Sequence, residues 1–176
     1  MKRALILGGV RSGKTALAER LAAQTGPPVL LVATAQARDE EMRERIERHR
    51  ARRPADWTTE EEPLALSAVL ARHREAAPCL LIDCMSLWLM NLLETGETRL
   101  EQETAAFLEA VEQWPGDLVI VSNETGLGVI GGDALTRRFC DRLGWLNQDL
   151  AARCDRVLLS VAGLPLALKG PPVAGP

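Results

Sequence analysis

Hydrophobic positions along the chain form two alternating patterns. Short uninterrupted apolar runs, typical of strands that are covered on both faces, lie at residues 4–9, 28–34, 79–84, 117–123 and 156–163. Between them, apolar residues recur at helical spacing over residues 14–24, 39–52, 62–76, 101–113 and 133–153. This alternation predicts an α/β fold in which a mostly parallel sheet is sandwiched between helices.

The segments outside these runs indicate the domain organisation. ETGETR at residues 94–99 is predicted to be a loop, and the tail KGPPVAGP at 169–176 is too rich in proline and glycine to form an element. With 176 residues and no internal repeat or linker, the chain is predicted to fold as one domain over residues 1–168.

Composition and charge narrow the classes of protein to consider. Hydrophobic residues make up 47% and charged residues 26%, as in ordinary globular domains, and the formal net charge is −3. Nucleic-acid binding is not expected of such an acidic chain, because it requires an excess of positive charge. No apolar run approaches the ~18 residues of a membrane span, and ALIL near the N-terminus is too short for a secretion signal. We therefore expect a cytoplasmic protein without membrane insertion.

The cysteines are predicted to be buried free thiols that pack as small hydrophobic side chains. No two of them have the C-x-x-C spacing that is typical of metal and redox sites. They are Cys79, Cys84, Cys140 and Cys154.

The first predicted strand runs directly into a glycine-rich motif, GGVRSGKT, and a predicted helix comes next. The motif fits G-x-x-x-x-G-K-[ST] and consists of Gly8, Gly9, Val10, Arg11, Ser12, Gly13, Lys14 and Thr15. Glycines let the backbone wrap a phosphate with its N–H groups, and the helix N-terminus adds partial positive charge. A glycine turn with a chance lysine is the alternative, but the flanking strand and helix favour a phosphate site in which Lys14 contacts the β- and γ-phosphates.

The run CLLIDC contains the acidic residue that usually accompanies such a motif. Asp83 closes this apolar run, where its carboxylate can reach a metal ion directly or through water. An aspartate at a strand end is common, so the assignment depends on the glycine-rich motif. Together with the hydroxyl of Thr15, Asp83 is predicted to hold Mg²⁺ beside a nucleoside triphosphate.

The stretch IERHRARRP sets one of the two histidines among arginines. His49 follows Met42 and Ile46 on the apolar stripe of the predicted helix, which Asp39 can cap. The nearby arginines are Arg48, Arg50, Arg52 and Arg53. Their charge favours a neutral imidazole. Two interpretations stay open on chemistry alone: a structural histidine on an apolar face, or a nucleophile inside a triphosphate clamp. The other histidine, His73, is predicted to be a surface residue.

These motifs together resemble one family. The stretches are GGVRSGKT, VATAQARDEEMRERIERHRARRPADWTTEE, LLIDCMSLWLMNLL, VIVSNETGLGV and RRFCDRLGWLNQDLAARCDRVLLSVAG. Over the whole chain up to the tail, the sequence resembles the bifunctional adenosylcobinamide kinase / adenosylcobinamide-phosphate guanylyltransferase of cobalamin biosynthesis. That resemblance implies a P-loop NTPase-like fold.

The resemblance assigns the histidine a role. A histidine in the family pattern R-I-x-H-H-x-x-x-R-P attacks the α-phosphorus of GTP and becomes guanylylated. The second histidine of that pair corresponds to His49, while Arg48 replaces the first, so His49 is expected to be the nucleophile.

Further residues are implied to contact the nucleotide by the same resemblance. They are Ala33, Thr34, Ala35, Arg50, Ala51, Arg52, Arg53 and Glu61. Asn123 and Glu124 are expected on the corrinoid or phosphate side. The stretch GVIGGDAL at 128–135 departs from relatives that have a proline after the hydrophobic pair, which leaves the loop's conformation and any part in substrate gating open.

The expected function comes from the resemblance. The enzyme would phosphorylate adenosylcobinamide with ATP or GTP and then transfer GMP from GTP through His49, acting as a homo-oligomer, a trimer. Two alternatives stay open: a P-loop small-molecule kinase without guanylylation, and a nucleotide-driven switch or nucleic-acid-binding ATPase. The acidic net charge and the short basic cluster count against the second.

Overall fold

The computed structural model describes residues 2–51, 54–128 and 131–173. Its strands are β1 (Arg3–Gly8), β2 (Val29–Ala33), β3 (Thr58–Glu61), β4 (Cys79–Asp83), β5 (Leu118–Asn123), β6 (Arg156–Val161) and β7 (Leu164–Lys169). Its helices are α1 (Lys14–Ala23), α2 (Glu40–Ala51), α3 (Leu66–His73), α4 (Met85–Leu93), α5 (Glu97–Gln113) and α6 (Ala134–Arg153).

The strands form one sheet in the order β3-β2-β4-β5-β1-β6-β7. All neighbouring pairs are parallel except β6 and β7, which form an antiparallel hairpin. The predicted α/β class is therefore confirmed, since a mostly parallel sheet carries helices on both faces.

The core consists of two apolar layers, one on each face of the sheet. Alternate residues of β1 divide between them, because successive side chains of a strand point to opposite faces: Leu5 joins one cluster and Ile6 the other. Helices α3, α4, α5 and α6 pack on the first face and α1 on the second. On the first face Trp88 packs against Phe107 in a tilted arrangement, with ring centroids 5.0 Å apart.

Three elements lack the apolar pattern that the sequence analysis used. β3 consists of the polar run TTEE at the sheet edge, where only one neighbour pairs with it. β7 alternates exposed leucines with a proline, as an edge strand can. α4 is buried on nearly every side and its residues are mostly apolar, so its sequence lacks the alternation of apolar and polar residues that identifies a helix.

Two predicted boundaries are wrong. α5 begins at Glu97 after Gly96, so residues 97–99 of the predicted loop are helical. Glu97 forms ion pairs with Arg138 and Arg142 of α6, which anchor this first turn. The predicted tail begins one residue too early, because Lys169 is the last residue of β7. Its ammonium donates to the carbonyl of Ala151 at 2.9 Å.

Within the described ranges, no helix is long and apolar enough to cross a bilayer. The expectation of buried free thiols holds for Cys79, Cys84 and Cys154, while Cys140 is only partly buried.

We expect Phe107→Ala to lower the free energy of unfolding by about 3–5 kcal/mol, because a fully buried ring leaves a cavity behind. Urea unfolding followed by circular dichroism measures the loss. Leu135→Ala is the control, since Leu135 is 57% exposed and should cost less than about 0.5 kcal/mol. Equal losses in both variants would contradict the assigned core.

Candidate functional site

The carboxyl ends of the parallel strands meet at one edge of the sheet, where ligand sites of such folds lie. The register aligns Gly8 with Asn123 of β5 and Ser160 of β6. It likewise aligns Ala33 with Asp83 and Glu61. A cleft with a cavity volume of about 150 Å³, partly open to solvent, runs along this edge and is lined by Val10, Lys14, Thr15, Ala33, Ala35, Met42, Ile46, His49, Arg50, Glu61, Asp83, Cys84, Leu87 and Asn123.

The phosphate loop, Gly8–Thr15, lies at the β1 end of the cleft. Lys14 opens α1, its side chain is buried, and its Nζ donates to the carbonyl of Gly9 at 3.0 Å. The side chain of Lys14 therefore connects the end of the phosphate loop to its beginning. The N-terminus of α1 directs N–H groups towards the same space, which suits an anion.

Two glycines of the phosphate loop are required by close packing. A Cβ on Gly8 would lie 2.4 Å from Ser12 Oγ and 2.8 Å from the carbonyl oxygen of Ser160. Gly13 has a φ of +92°, and a Cβ there would lie 3.0 Å from the Cα of Gly163. The loop is therefore folded tightly on itself and against the turn between β6 and β7.

That turn fixes the orientation of one peptide group in the loop. The carbonyl of Ser12 accepts hydrogen bonds from Ser160 Oγ at 2.7 Å and from the N–H of Gly163 at 2.9 Å. In a trans peptide the C=O and the following N–H point in opposite directions. Anchoring the Ser12 carbonyl therefore turns the N–H of Gly13 away from β6 and β7. No motif in the sequence indicates this role for Ser160.

Thr15 and Asp83 lie together, as the metal prediction requires. Thr15 Oγ1 donates to Asp83 Oδ2 at 3.2 Å. A hydroxyl and a carboxylate are the oxygen donors that Mg²⁺ prefers, and Mg²⁺ completes its shell with phosphates and water. Among the described residues no cluster of three or more His, Cys, Asp or Glu side chains could hold a metal alone. The pair therefore fits a metal that arrives with a nucleotide.

Helix α2 forms one wall of the cleft. Its N-terminus is capped as predicted, because Asp39 Oδ1 accepts from the N–H of Met42 at 2.7 Å. The predicted stripe also holds: Met42, Ile46 and His49 all line the cleft. Beside them, Arg50 forms an ion pair with Glu61 of β3.

The other predicted nucleotide residues fall into three groups. Ala33 and Ala35 line the cleft, whereas the buried Thr34 holds the chain behind it, because its Oγ1 bonds both N–H and C=O of Cys84 at 2.8 Å. Ala51 ends α2 with an exposed side chain outside the lining. Arg52 and Arg53 lie outside the described residues.

Two buried asparagines brace the cleft, and nothing in the sequence pattern predicts them. Asn91 of α4 donates from Nδ2 to the carbonyls of Thr34 at 3.0 Å and Pro63 at 3.1 Å. It thereby ties together the segments that follow β2 and β3. Asn147 of α6 donates to the carbonyl of Asn123 at 3.1 Å, which fixes the end of β5.

The Cys84 thiol also faces the cleft, but it is a poor nucleophile. Burial raises its pKa, and the negative charge of Asp83 raises it further. A protonated thiol does not compete with an imidazole for an electrophilic phosphorus. His73, predicted as a surface residue, is instead half-buried and lies outside the cleft lining, with Nε2 2.8 Å from Glu60 Oε2.

Known proteins resemble this chain over nearly its full length. Residues 4–168 match the family described as cobinamide kinase / cobinamide phosphate guanyltransferase. The bifunctional adenosylcobalamin biosynthesis protein CobP of Pseudomonas aeruginosa is 57% identical over 172 residues, covering 97% of this chain and 99% of that protein. The bifunctional adenosylcobalamin biosynthesis protein CobU of Salmonella typhimurium is 34% identical over 179 residues, covering 94% and 98%.

Solved structures with little sequence identity share the fold. One of them, an ATPase domain, has a TM-score of 0.53 at 12% identity and covers 99% of this chain and 78% of that one. The RadB recombinase also has a TM-score of 0.53, at 17% identity, covering 99% and 83%. Together with the phosphate loop, these likenesses confirm a P-loop NTPase-like fold and nothing about activity.

We expect Ser160→Ala to weaken GDP binding by about 3–10-fold, the effect of one lost hydrogen bond, because the peptide of Gly13 is then less well oriented for a β-phosphate. The affinity for GMP, which has no β-phosphate, should fall by less than about 2-fold. Isothermal titration calorimetry measures both dissociation constants.

The matched control is Ser122→Ala, which removes an equally buried hydroxyl on β5 that bonds Asn147 at 2.6 Å rather than the loop. It should leave the ratio of GDP to GMP affinity unchanged. If Ser160→Ala weakened both nucleotides equally, the effect would be general destabilisation and not loop orientation.

Proposed function

The chain belongs to the cobinamide kinase / cobinamide phosphate guanyltransferase family, and from this premise we propose how one cleft performs both reactions. The protein is a bifunctional nucleotide-using enzyme of cobalamin biosynthesis, which phosphorylates cobinamide and then transfers a guanylyl group to the product. The observation that carries the proposal is that the phosphate loop and His49 line the same cleft.

The sheet order supports one direction for the nucleotide in the cleft. β1 carries the phosphate loop, and β3 with Glu61 lies four strands away, which at ~4.8 Å per strand is roughly 19 Å. With the β- and γ-phosphates at Lys14, the nucleoside of GTP extends towards Glu61. His49 and Arg50 both line the cleft and Arg50 pairs with Glu61, so we infer that the imidazole serves the nucleoside end. The α-phosphorus is the phosphate nearest to the nucleoside.

Guanylyl transfer then proceeds in two displacements. An imidazole nitrogen of His49 attacks the α-phosphorus, a P–N bond forms, and the bond from that phosphorus to the bridging oxygen breaks, releasing pyrophosphate. A phosphate oxygen of cobinamide phosphate next attacks the same phosphorus, and the imidazole leaves with its electron pair. Dividing the transfer in this way avoids holding two highly charged substrates together.

Phosphorylation of cobinamide uses the loop without the histidine. The substrate hydroxyl attacks the γ-phosphorus of ATP or GTP, while Lys14 and the loop N–H groups hold the phosphates. Thr15 and Asp83 would hold Mg²⁺, which neutralises phosphate charge when it is bound. Asn123 ends β5 opposite Gly8 and lines the cleft, which supports an approach of the acceptor hydroxyl from this side.

The remaining expectations are part of the same proposal. We infer a cytoplasmic homo-oligomer, a trimer by resemblance, that does not bind nucleic acid, and the net charge of −3 supports the last point. A small-molecule kinase without guanylylation is the second candidate. The position of His49 within the nucleotide cleft favours the bifunctional enzyme over it.

His49→Ala should abolish transfer of GMP but leave phosphorylation of cobinamide measurable, because γ-phosphoryl transfer needs no covalent enzyme intermediate. In the wild type, GTP labelled at the α-phosphorus should label the protein, and γ-labelled GTP should not. The bond should hydrolyse in acid, since protonation makes imidazole a good leaving group, and should persist in alkali.

Peptide mapping and intact mass locate the adduct, with His73→Ala as the control that should label normally. An alkali-labile, acid-stable adduct, or label on the peptide that contains His73, would contradict the histidine intermediate.

Lys14→Ala should slow both reactions by about 10²-fold or more, because one lysine holds the phosphates in each. Steady-state assays with cobinamide and with cobinamide phosphate measure the two rates separately. A variant that lost phosphorylation while guanylyl transfer continued at the wild-type rate would show that the reactions use different phosphate sites.

A further inference from the structure

At the nucleoside end of the cleft, the ion pair of Arg50 and Glu61 joins α2 to β3. Both side chains line the cleft, and each is 53% exposed. Arg50 directly follows His49 in the chain. The pair therefore couples the helix that carries the proposed nucleophile to a carboxylate at the end of the cleft where the base is expected.

The carboxylate of Glu61 suits guanine and not adenine. Guanine presents N1–H and an N2 amino group side by side on one edge, and an ionised carboxylate accepts two such hydrogen bonds. Adenine presents the N1 lone pair on the corresponding edge, which faces a carboxylate unfavourably. Arg50, however, already occupies the carboxylate of Glu61.

On the basis of the proposed function, we propose that GTP causes an exchange of partners: guanine takes Glu61 from Arg50, and the released guanidinium turns to the α-phosphate that His49 attacks. The exchange makes charging of His49 depend on the base. ATP leaves the ion pair closed, so it donates its γ-phosphoryl group without transferring AMP to the histidine.

The energetics permit the exchange. Ion pairs between half-exposed side chains contribute little to stability, because water screens both partners. Guanine can therefore displace Arg50 from Glu61 at small cost. The guanidinium is not left without an anion, since a phosphate offers it charge-assisted and geometrically matched hydrogen bonds.

Two simpler roles for Arg50 give different kinetics. If it only fastened α2 to β3, its loss would change stability and not charging. If it only bound phosphate, its loss would raise the GTP concentration needed for half-maximal charging. The exchange predicts a third result: loss of Arg50 lowers the rate at saturation, while the half-saturating GTP concentration stays equal or falls. The reason is that Arg50 competes with guanine for Glu61 in the free enzyme and assists the reaction afterwards.

The experiment measures the rate of His49 labelling by α-labelled GTP over a range of GTP concentrations. Arg50→Gln should lower the rate at saturation by about tenfold or more, while the half-saturating GTP concentration stays equal or falls. The matched control is Arg72→Gln, which breaks the ion pair of Arg72 with Glu60, the neighbouring residue on β3, outside the cleft lining; Arg72 is 56% exposed. In the control, the rate at saturation and the half-saturating GTP concentration should both stay within twofold of wild type.

Glu61→Ala provides a second, independent arm. It frees Arg50 without guanine, so the half-saturating GTP concentration should rise while labelling by α-labelled ATP increases to within about tenfold of labelling by GTP. A rise in the half-saturating GTP concentration in Arg50→Gln with an unchanged rate at saturation would overturn the exchange. So would a Glu61→Ala enzyme that lost GTP labelling without gaining ATP labelling. Absence of label on His49 in the wild type would instead overturn the proposed function itself.

Discussion

The parallel pairing of the strands is the constraint on which the site depends. Because β1, β2, β3, β4 and β5 all run the same way, their carboxyl ends meet at one edge and bring residues far apart in the sequence together. Gly8, Asp83 and Glu61 each end a strand there. Buried apolar layers on both faces hold the register, since a shift by one residue would move the side chains of each strand into the opposite layer, where they would not pack.

The proposal that one cleft performs both reactions assigns different demands to its two ends. The loop end must hold phosphates in either reaction, so its geometry is fixed by glycines, by Lys14 and by hydrogen bonds from Ser160 and Gly163. In the same proposal, the nucleoside end distinguishes bases and brings His49 to the phosphorus. There, the half-exposed charged side chains of Arg50 and Glu61 take the place of buried ones. Rigidity at one end and exchangeable contacts at the other are consistent with this division of tasks.

The sequence alone predicted those features that are local in the chain. The phosphate loop is one contiguous motif, and the stripe of Met42, Ile46 and His49 comes from helical spacing within a single element. Elements and contacts that depend on distant partners could not be predicted. β3 has the polar sequence TTEE and is a strand because β2 pairs with it, and β7 is an edge strand whose leucines remain exposed although they are apolar. Ser160 and Asn91 contact backbone groups whose identity leaves no trace in either local sequence.

The anchoring of the phosphate loop by the β6–β7 turn has a consequence for synthesis of the protein. Ser12 leaves the ribosome early, whereas Ser160 emerges 148 residues later, which at ~5–20 residues per second is a delay of roughly 7–30 s. During that interval the glycine motif exists without the hydrogen bonds that orient its peptide. A nascent chain therefore gains full affinity for its nucleotide only when the hairpin emerges and pairs, so nucleotide cannot stabilise the early folding intermediates as it stabilises the finished protein.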